Sequence, residues 1–447
     1  MTNKQQADLI IHARWIIPMD KTRSILEDHA IVIHHGHVEG IFPRDKNPYT
    51  SSNTLDKSNH IVMPGLINAH THAAMTLFRG LADDLPLMEW LNDHIWPAEH
   101  KWVNEQFIHD GTQLAMAEMI RGGTTCFSDM YFFPNIAAQA ANEAHMRATM
   151  NFPVLDFPSA WAQDANEYLE KGLALHDAYR NHDLINIDFG PHAPYTVSDE
   201  PFQRIATVSA QTGMGIQIHL HETAHEVDEA IQQNGQRPLQ RLDQLNLLTP
   251  QLQAVHMTQL TDEEIALLAK TGVHVIHCPE SNLKLASGFC PVGKLLQAGV
   301  NVALGTDGAA SNNDLDMFSE MRTAALLAKG VSGNPATVPA MQALEMATIN
   351  GAKALGIADV TGSLEPGKFA DMIAITLNAP ETQPHYHPAA QLAYATTADK
   401  VTDSWVAGHQ LMKDRKLTTL NTTDILARAA QWQTKIAGTD QGAHHDN

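Results

Sequence analysis

Two histidines, His70 and His72, stand one residue apart in "PGLINAHTHAAM", at the end of a run of mostly apolar residues. Residues i and i+2 of a strand point the same way, so both imidazoles can face a single point. The pattern alone carries little weight, because the chain holds 26 histidines and has four such pairs. His35 and His37 flank a turn glycine, and His385 and His387 sit in a proline-flanked loop, so both of these pairs read as surface residues. His70 and His72 differ through the company they keep. His219 in "HLHET" and Asp307 in "LGTDGAASNN" also close short apolar runs. Three imidazoles and one carboxylate are the borderline donor set that suits zinc or ferrous iron, with a position left for water.

Such residues converge only if their strands do. Apolar runs alternate with longer helical patterns at 61–70, 124–130, 147–154, 185–192, 215–220, 253–257, 274–279 and 301–307. Stacked βα units of this kind build a parallel sheet, and eight of them favour a closed (β/α)8 TIM barrel over an open sheet. A barrel carries its chemistry at the C-terminal ends of its strands. There the sequence places His70, His72, Asp129, His192, His219, His256, His277 and Asp307. Both flanks of the chain have a different texture, with short β-rich runs broken by Gly, Pro and Asp. The expected organisation is α/β: residues 63–365 form the barrel, while 1–62 and 366–447 form a small β-sandwich domain, with a tail, from both ends of the chain.

Composition excludes several classes of function. The 447 residues are 44% hydrophobic and 18% charged, which fits a large globular protein with a buried core. The net charge of -21 lacks the clustered Lys and Arg that nucleic acid requires, so small neutral or cationic ligands fit better. No run of apolar residues is long enough for a membrane span and the N-terminus lacks a signal-type core. The three cysteines form no C-x-x-C, so a soluble protein of the reducing cytoplasm is expected.

Together "PGLINAHTH", "HLHET", "AVHMTQL", "HCPESNLKLASG", "GTDGAASNNDLDMFSEMRTA" and the terminal "GSLEPGKFADM" resemble the amidohydrolase superfamily over nearly the whole chain. Within it they resemble the 5'-methylthioadenosine/S-adenosylhomocysteine deaminase branch, whose relatives include triazine hydrolases. Binuclear members carry a carboxylated lysine after the fourth strand. Here "INIDFGPHAPYT" has none, so the resemblance implies one divalent metal, zinc or ferrous iron, on His70, His72, His219 and Asp307. It also implies that Asp307 accepts a proton from the attacking water, Glu222 shuttles a proton to a ring nitrogen, and His256 orients the water. Glu99 in "WPAE" is matched to the ribose hydroxyls, and His192 to ribose or base. His277 reads equally well as structural or functional.

The stretch "LPLMEWLNDHIWPAEHKWV", residues 85–103, is expected to be a lid. Family members that take S-adenosylhomocysteine can carry an arginine after the third strand. Here Arg147 stands at the start of that strand, at the wrong end of a barrel, and Phe152, Phe157 and Trp161 would suit a methylthio group. The expected substrate is therefore 5'-methylthioadenosine ahead of S-adenosylhomocysteine, with adenosine also accepted, and homo-oligomers are frequent in the family. Rival readings are hydrolysis of guanine, 8-oxoguanine or a triazine, and a silent metal-binding scaffold. The H-x-E with P-C-x-x-C signature of other zinc deaminases is not assembled, since Cys278 in "CPES" has no second cysteine.

Overall fold

The computed structural model describes residues 5–440. Its centre is a parallel sheet of eight strands paired in chain order: Leu66–Thr71, Thr124–Asp129, Arg147–Val154, Ile185–Pro191, Ile216–Leu220, Leu252–His256, His274–His277 and Val302–Leu304. The strands are almost entirely buried, as expected where helices cover one face and side chains fill the other. First and last strands meet where Asp307 N–H donates to His70 O at 3.0 Å. That approach requires Gly305, because a Cβ there would sit 2.8 Å from the His70 backbone nitrogen.

The first strand starts later than the sequence suggests. Residues 61–64 close a long strand, Thr54–Pro64, that belongs to a second sheet, and the barrel strand begins at Leu66. Gly65 makes the crossing, where a Cβ would lie 1.9 Å from Thr125 Oγ1. This second sheet takes Leu9–Ile16, Leu26–His34, His37–Pro43 and Thr54–Pro64 from one end of the chain. The other end supplies Met372–Thr376, Val401–Val406, His409–Lys413 and Lys416–Leu417. The halves join where Met372–Thr376 runs antiparallel to His60–Pro64, over a core that includes Ile11, Ile31, Val62 and Trp405. After this sheet comes a helix, Thr422–Asp440, which packs on the barrel helix Glu105–Arg121. Its Trp432 indole donates to Asp110 Oδ2 at 3.0 Å.

The segment expected as a lid is a short helix, Leu87–Glu89, a widened turn, Trp90–Ile95, and a helix, Trp96–Trp102. The widening has a local cause. Pro97 has no N–H and its ring crowds the carbonyl four residues back, and Trp96 bonds to Leu91 O, five residues back. Among the described residues no helix is long and apolar enough to cross a membrane.

Candidate metal centre and substrate cavity

His70, His72, His219 and Asp307 present ligand atoms that all lie within 4.8 Å of one another. Each imidazole is oriented through its other nitrogen. His70 Nδ1 donates to Gln217 Oε1 at 2.7 Å, His72 Nδ1 to Met130 O at 2.5 Å, and His219 Nδ1 to His192 O at 2.7 Å. With each Nδ1 proton committed, every neutral ring turns its Nε2 lone pair inward. His70 Nε2 and His219 Nε2 stand 3.2 Å apart, and Asp307 Oδ1 is 3.4 Å from His70 Nε2 and 3.2 Å from His72 Nε2. Facing lone pairs at that distance repel unless a cation lies among them, so the donor set fits one divalent metal ion. Burial opposes ionisation of Asp307, yet the adjoining imidazoles of His70 and His72 hold its carboxyl well below the usual range. His72 is pushed up to about 9, Asp307 outweighing burial, a proton that a bound metal displaces.

The short helix Pro279–Lys284, which follows "HC" in "HCPESN", fixes one of the four ligands, Asp307, and one further group, His256. Ser281 Oγ and Ser311 Oγ donate to Asp307 Oδ2 at 2.7 and 2.8 Å. His256 Nδ1 donates to Asn282 Oδ1 at 2.8 Å, which leaves Nε2 facing Glu222 Oε2 at 3.7 Å. His256 and Asp307 both hold left-handed backbone, with φ of 73° and 63°. Such conformations in residues other than glycine cost free energy and gather at functional sites. Glu222 follows the fifth strand, with Ser287 Oγ 3.4 Å from its Oε1 as its side-chain partner. Burial pushes its carboxyl up to about 8, the Asp307 charge adding to the effect. A carboxyl that keeps its proton at neutral pH is equipped to donate one.

Of these groups His72, His219, Glu222, His256, Asp307 and Ser311 line the floor of a cavity of about 620 Å³. His192 lines it beside His219, with its Nδ1 3.1 Å from Thr196 Oγ1, and burial pushes its ring down to about 4. The lid supplies Leu87, Trp90, Leu91, Ile95, Trp96 and Glu99 to the opposite wall. Glu99, pushed up to about 7 by burial, accepts a hydrogen bond from Tyr131 Oη at 2.7 Å. No lysine or arginine lines the cavity among the described residues.

The structure therefore brings His70, His72, His192, His219, Glu222, His256, Asp307 and Glu99 around one space. Two residues expected at the substrate do not reach it. Phe152 points outward and packs against Gly172 of a covering helix, and Trp161 packs at a tilt on Tyr168, 5.8 Å between ring centroids, and does not line the cavity, leaving Phe157 alone of the three on the wall. Asp129 accepts from Ala73 N–H at 2.7 Å and shapes the turn after His72. His277 is buried, does not line the cavity and is pushed down to about 3 by burial. Arg147 lies at the base of the barrel, bonded to Asp371. Gln217, Tyr131, Ser281 and Asn282 were not anticipated. Strand parity is the signal for Gln217, two residues before His219 and so on the same face.

A parallel eight-stranded barrel with a His3Asp cluster at its mouth defines a class of metal-dependent hydrolases, and the family model described as "Amidohydrolase family" matches residues 61–411. The chain belongs to the amidohydrolase family. Within it, the chain is 56% identical to the 5-methylthioadenosine/S-adenosylhomocysteine deaminase of Saccharophagus degradans, over 98% of each chain. It is 53% identical to the protein of the same name from Teredinibacter turnerae, over 98% of this chain and 99% of that one. Among solved structures, an adenosine deaminase from Xanthomonas campestris with bound zinc is 47% identical, with a TM-score of 0.96 over 97% of this chain and 100% of that one.

Proposed function

We infer that this protein is a metal-dependent hydrolytic deaminase that converts 5'-methylthioadenosine and water to 5'-methylthioinosine and ammonia. S-adenosylhomocysteine is a poorer substrate, and adenosine is also accepted. The observation that carries the reading is one cavity with the His3Asp cluster, Glu222 and His256 at its floor and Glu99 on its lid wall. The relatives' names support the same chemistry.

His70, His72, His219 and Asp307 hold one divalent ion, and zinc is the choice supported by the Xanthomonas relative. When bound, the ion supplies Lewis acidity that lets water attack at neutral pH. Asp307 Oδ1 accepts the proton from that water, while Ser281 and Ser311 keep Oδ2 occupied. His256 orients the water through Nε2, its ring fixed by Asn282. Glu222 gives its proton to a ring nitrogen, which makes the amino-bearing carbon electrophilic, and then helps ammonia leave. Glu99 accepts from the ribose hydroxyls and His192 contacts the ribose or base. Leu87, Trp90, Leu91 and Ile95 take the methylthio end, where the α-carboxylate of S-adenosylhomocysteine finds no lysine or arginine on the wall. Three buried free cysteines suit the cytoplasm, and we expect a homo-oligomer in solution.

The test is loss of adenine absorbance together with ammonia release, run on 5'-methylthioadenosine, S-adenosylhomocysteine, adenosine, guanine, 8-oxoguanine and a triazine, before and after chelation. The highest kcat/KM is expected on 5'-methylthioadenosine, with activity lost on chelation and restored by zinc. Equal or higher efficiency on S-adenosylhomocysteine defeats the substrate preference. Inertness towards every adenosine derivative defeats the deaminase reading.

A further inference from the structure

Glu99 sits on the lid and not on the barrel, yet it must stand at a fixed distance from the metal-binding cluster to select a substrate. Its own helix, Trp96–Trp102, is two turns long and follows the widened turn at Trp90–Ile95, so the helix alone gives it little rigidity. The anchor comes from the barrel. Tyr131, two residues past the end of the second strand and 6% exposed, donates its hydroxyl to Glu99 Oε1 at 2.7 Å.

The residue before it completes the link. Met130 N–H donates to Thr71 O at 3.0 Å, and Met130 O accepts from the metal-cluster residue His72 at 2.5 Å. The Tyr131 ring itself lies 6.1 Å from the His72 ring. Two consecutive residues thus fix one imidazole of the cluster and the carboxylate on the lid.

We propose that Tyr131 is a specificity-determining positioning residue, which holds the Glu99 carboxylate at the spacing from the metal cluster that a ribose with both hydroxyls requires. The proposal rests on the reading that Glu99 accepts from those hydroxyls. The Tyr131 proton goes to Oε1, leaving Oε2 and a second lone pair on Oε1 for the 2'- and 3'-hydroxyls. A sugar lacking the hydroxyls makes no use of the arrangement, so Tyr131 separates ribosides from dideoxyribosides and has no part in the deamination step.

The test compares 5'-methylthioadenosine with 2',3'-dideoxyadenosine in the wild-type metalloenzyme, Tyr131→Phe and Glu99→Gln, with thermal melting to verify folding. Tyr131→Phe deletes one oxygen and keeps the ring. It is expected to lower kcat/KM on 5'-methylthioadenosine roughly tenfold or more, through KM, and to leave 2',3'-dideoxyadenosine within about twofold. The riboside-to-dideoxyriboside ratio therefore falls. An equal loss on both substrates marks Tyr131 as a structural staple and overturns the proposal. If Glu99→Gln collapses the ratio while Tyr131→Phe keeps it, the proposal fails and the ribose reading of Glu99 stands. If Glu99→Gln keeps the wild-type ratio, the ribose reading fails and takes the role of Tyr131 with it.

Discussion

At the base of the barrel Arg147 donates to Asp371 through Nε at 2.6 Å and Nη2 at 3.3 Å, and to Asp183 O through Nη1 at 2.6 Å. Asp371 also accepts from Thr361 Oγ1 and from Ala407 N–H, both at 2.7 Å. Every charged atom there has a partner of the opposite kind. At the mouth the charges are just as buried, but each group keeps one atom in reserve. His70, His72 and His219 spend Nδ1 and hold Nε2 free for a ligand, while the Glu222 carboxyl has only long side-chain contacts among the described residues, Ser287 Oγ at 3.4 Å and His256 Nε2 at 3.7 Å. Saturated burial fastens the barrel to the terminal sheet. Incomplete burial supplies reactivity, at the cost of desolvation that packing elsewhere must offset.

Glu222→Gln breaks this contrast most sharply, because it preserves shape while removing the proton. We expect kcat to fall by roughly a thousandfold, with bound metal and melting temperature retained or the latter raised. Metal analysis, calorimetry and steady-state kinetics decide it. A kcat within tenfold of wild type removes Glu222 from the proton path.

Arg147→Met makes the opposite cut. It leaves Asp371 buried without its main partner, and we expect a stability loss of about 3–5 kcal/mol. Turnover per folded molecule should stay at the wild-type value, since Arg147 lies at the far end of the barrel from the cavity. Denaturant unfolding and active-site-normalised kinetics separate the two quantities. A protein of unchanged stability shows that the ion pair does not fasten the sheets.

The same contrast explains what was legible in the sequence. Barrel strands are buried on both faces and read as apolar runs, and a polar residue ending such a run is conspicuous, so His70, His72, His219, His256 and Asp307 could be found. The start of the first strand could not. Apolar residues continue on both sides of Gly65 while the chain passes from one sheet to another, and a change of partner leaves no mark on hydropathy. Phe152 faces away from the cavity, contrary to expectation, although strand parity carries that signal. Asn151 points into the barrel, where it bonds Ser128, and Pro153 lines the cavity, so the residue between them on the strand tends to the outer face. Tyr131, Ser281 and Asn282 act from loops and a short helix whose paths no periodicity fixes.

Gln217 lies between the two regimes and gives the smallest and most discriminating effect. It is saturated like the base: its amide donates to Ala69 O at 2.9 Å and to Gln253 Oε1 at 2.8 Å. Its carbonyl, however, serves the mouth by accepting from His70 Nδ1 at 2.7 Å. Gln217→Leu removes that acceptor, so the His70 ring no longer has its tautomer and angle imposed. Metal affinity is then expected to fall roughly 10–100-fold, read as faster loss of zinc to a competing chelator. With zinc in excess, kcat should return to near the wild-type value, because Glu222, His256 and Asp307 are untouched. If chelator competition is unchanged, Gln217 belongs with the base, as packing that happens to touch a ligand. If excess zinc fails to restore kcat, its carbonyl governs the reaction as well as the metal, and the division between fastening and reactive burial runs through a single side chain.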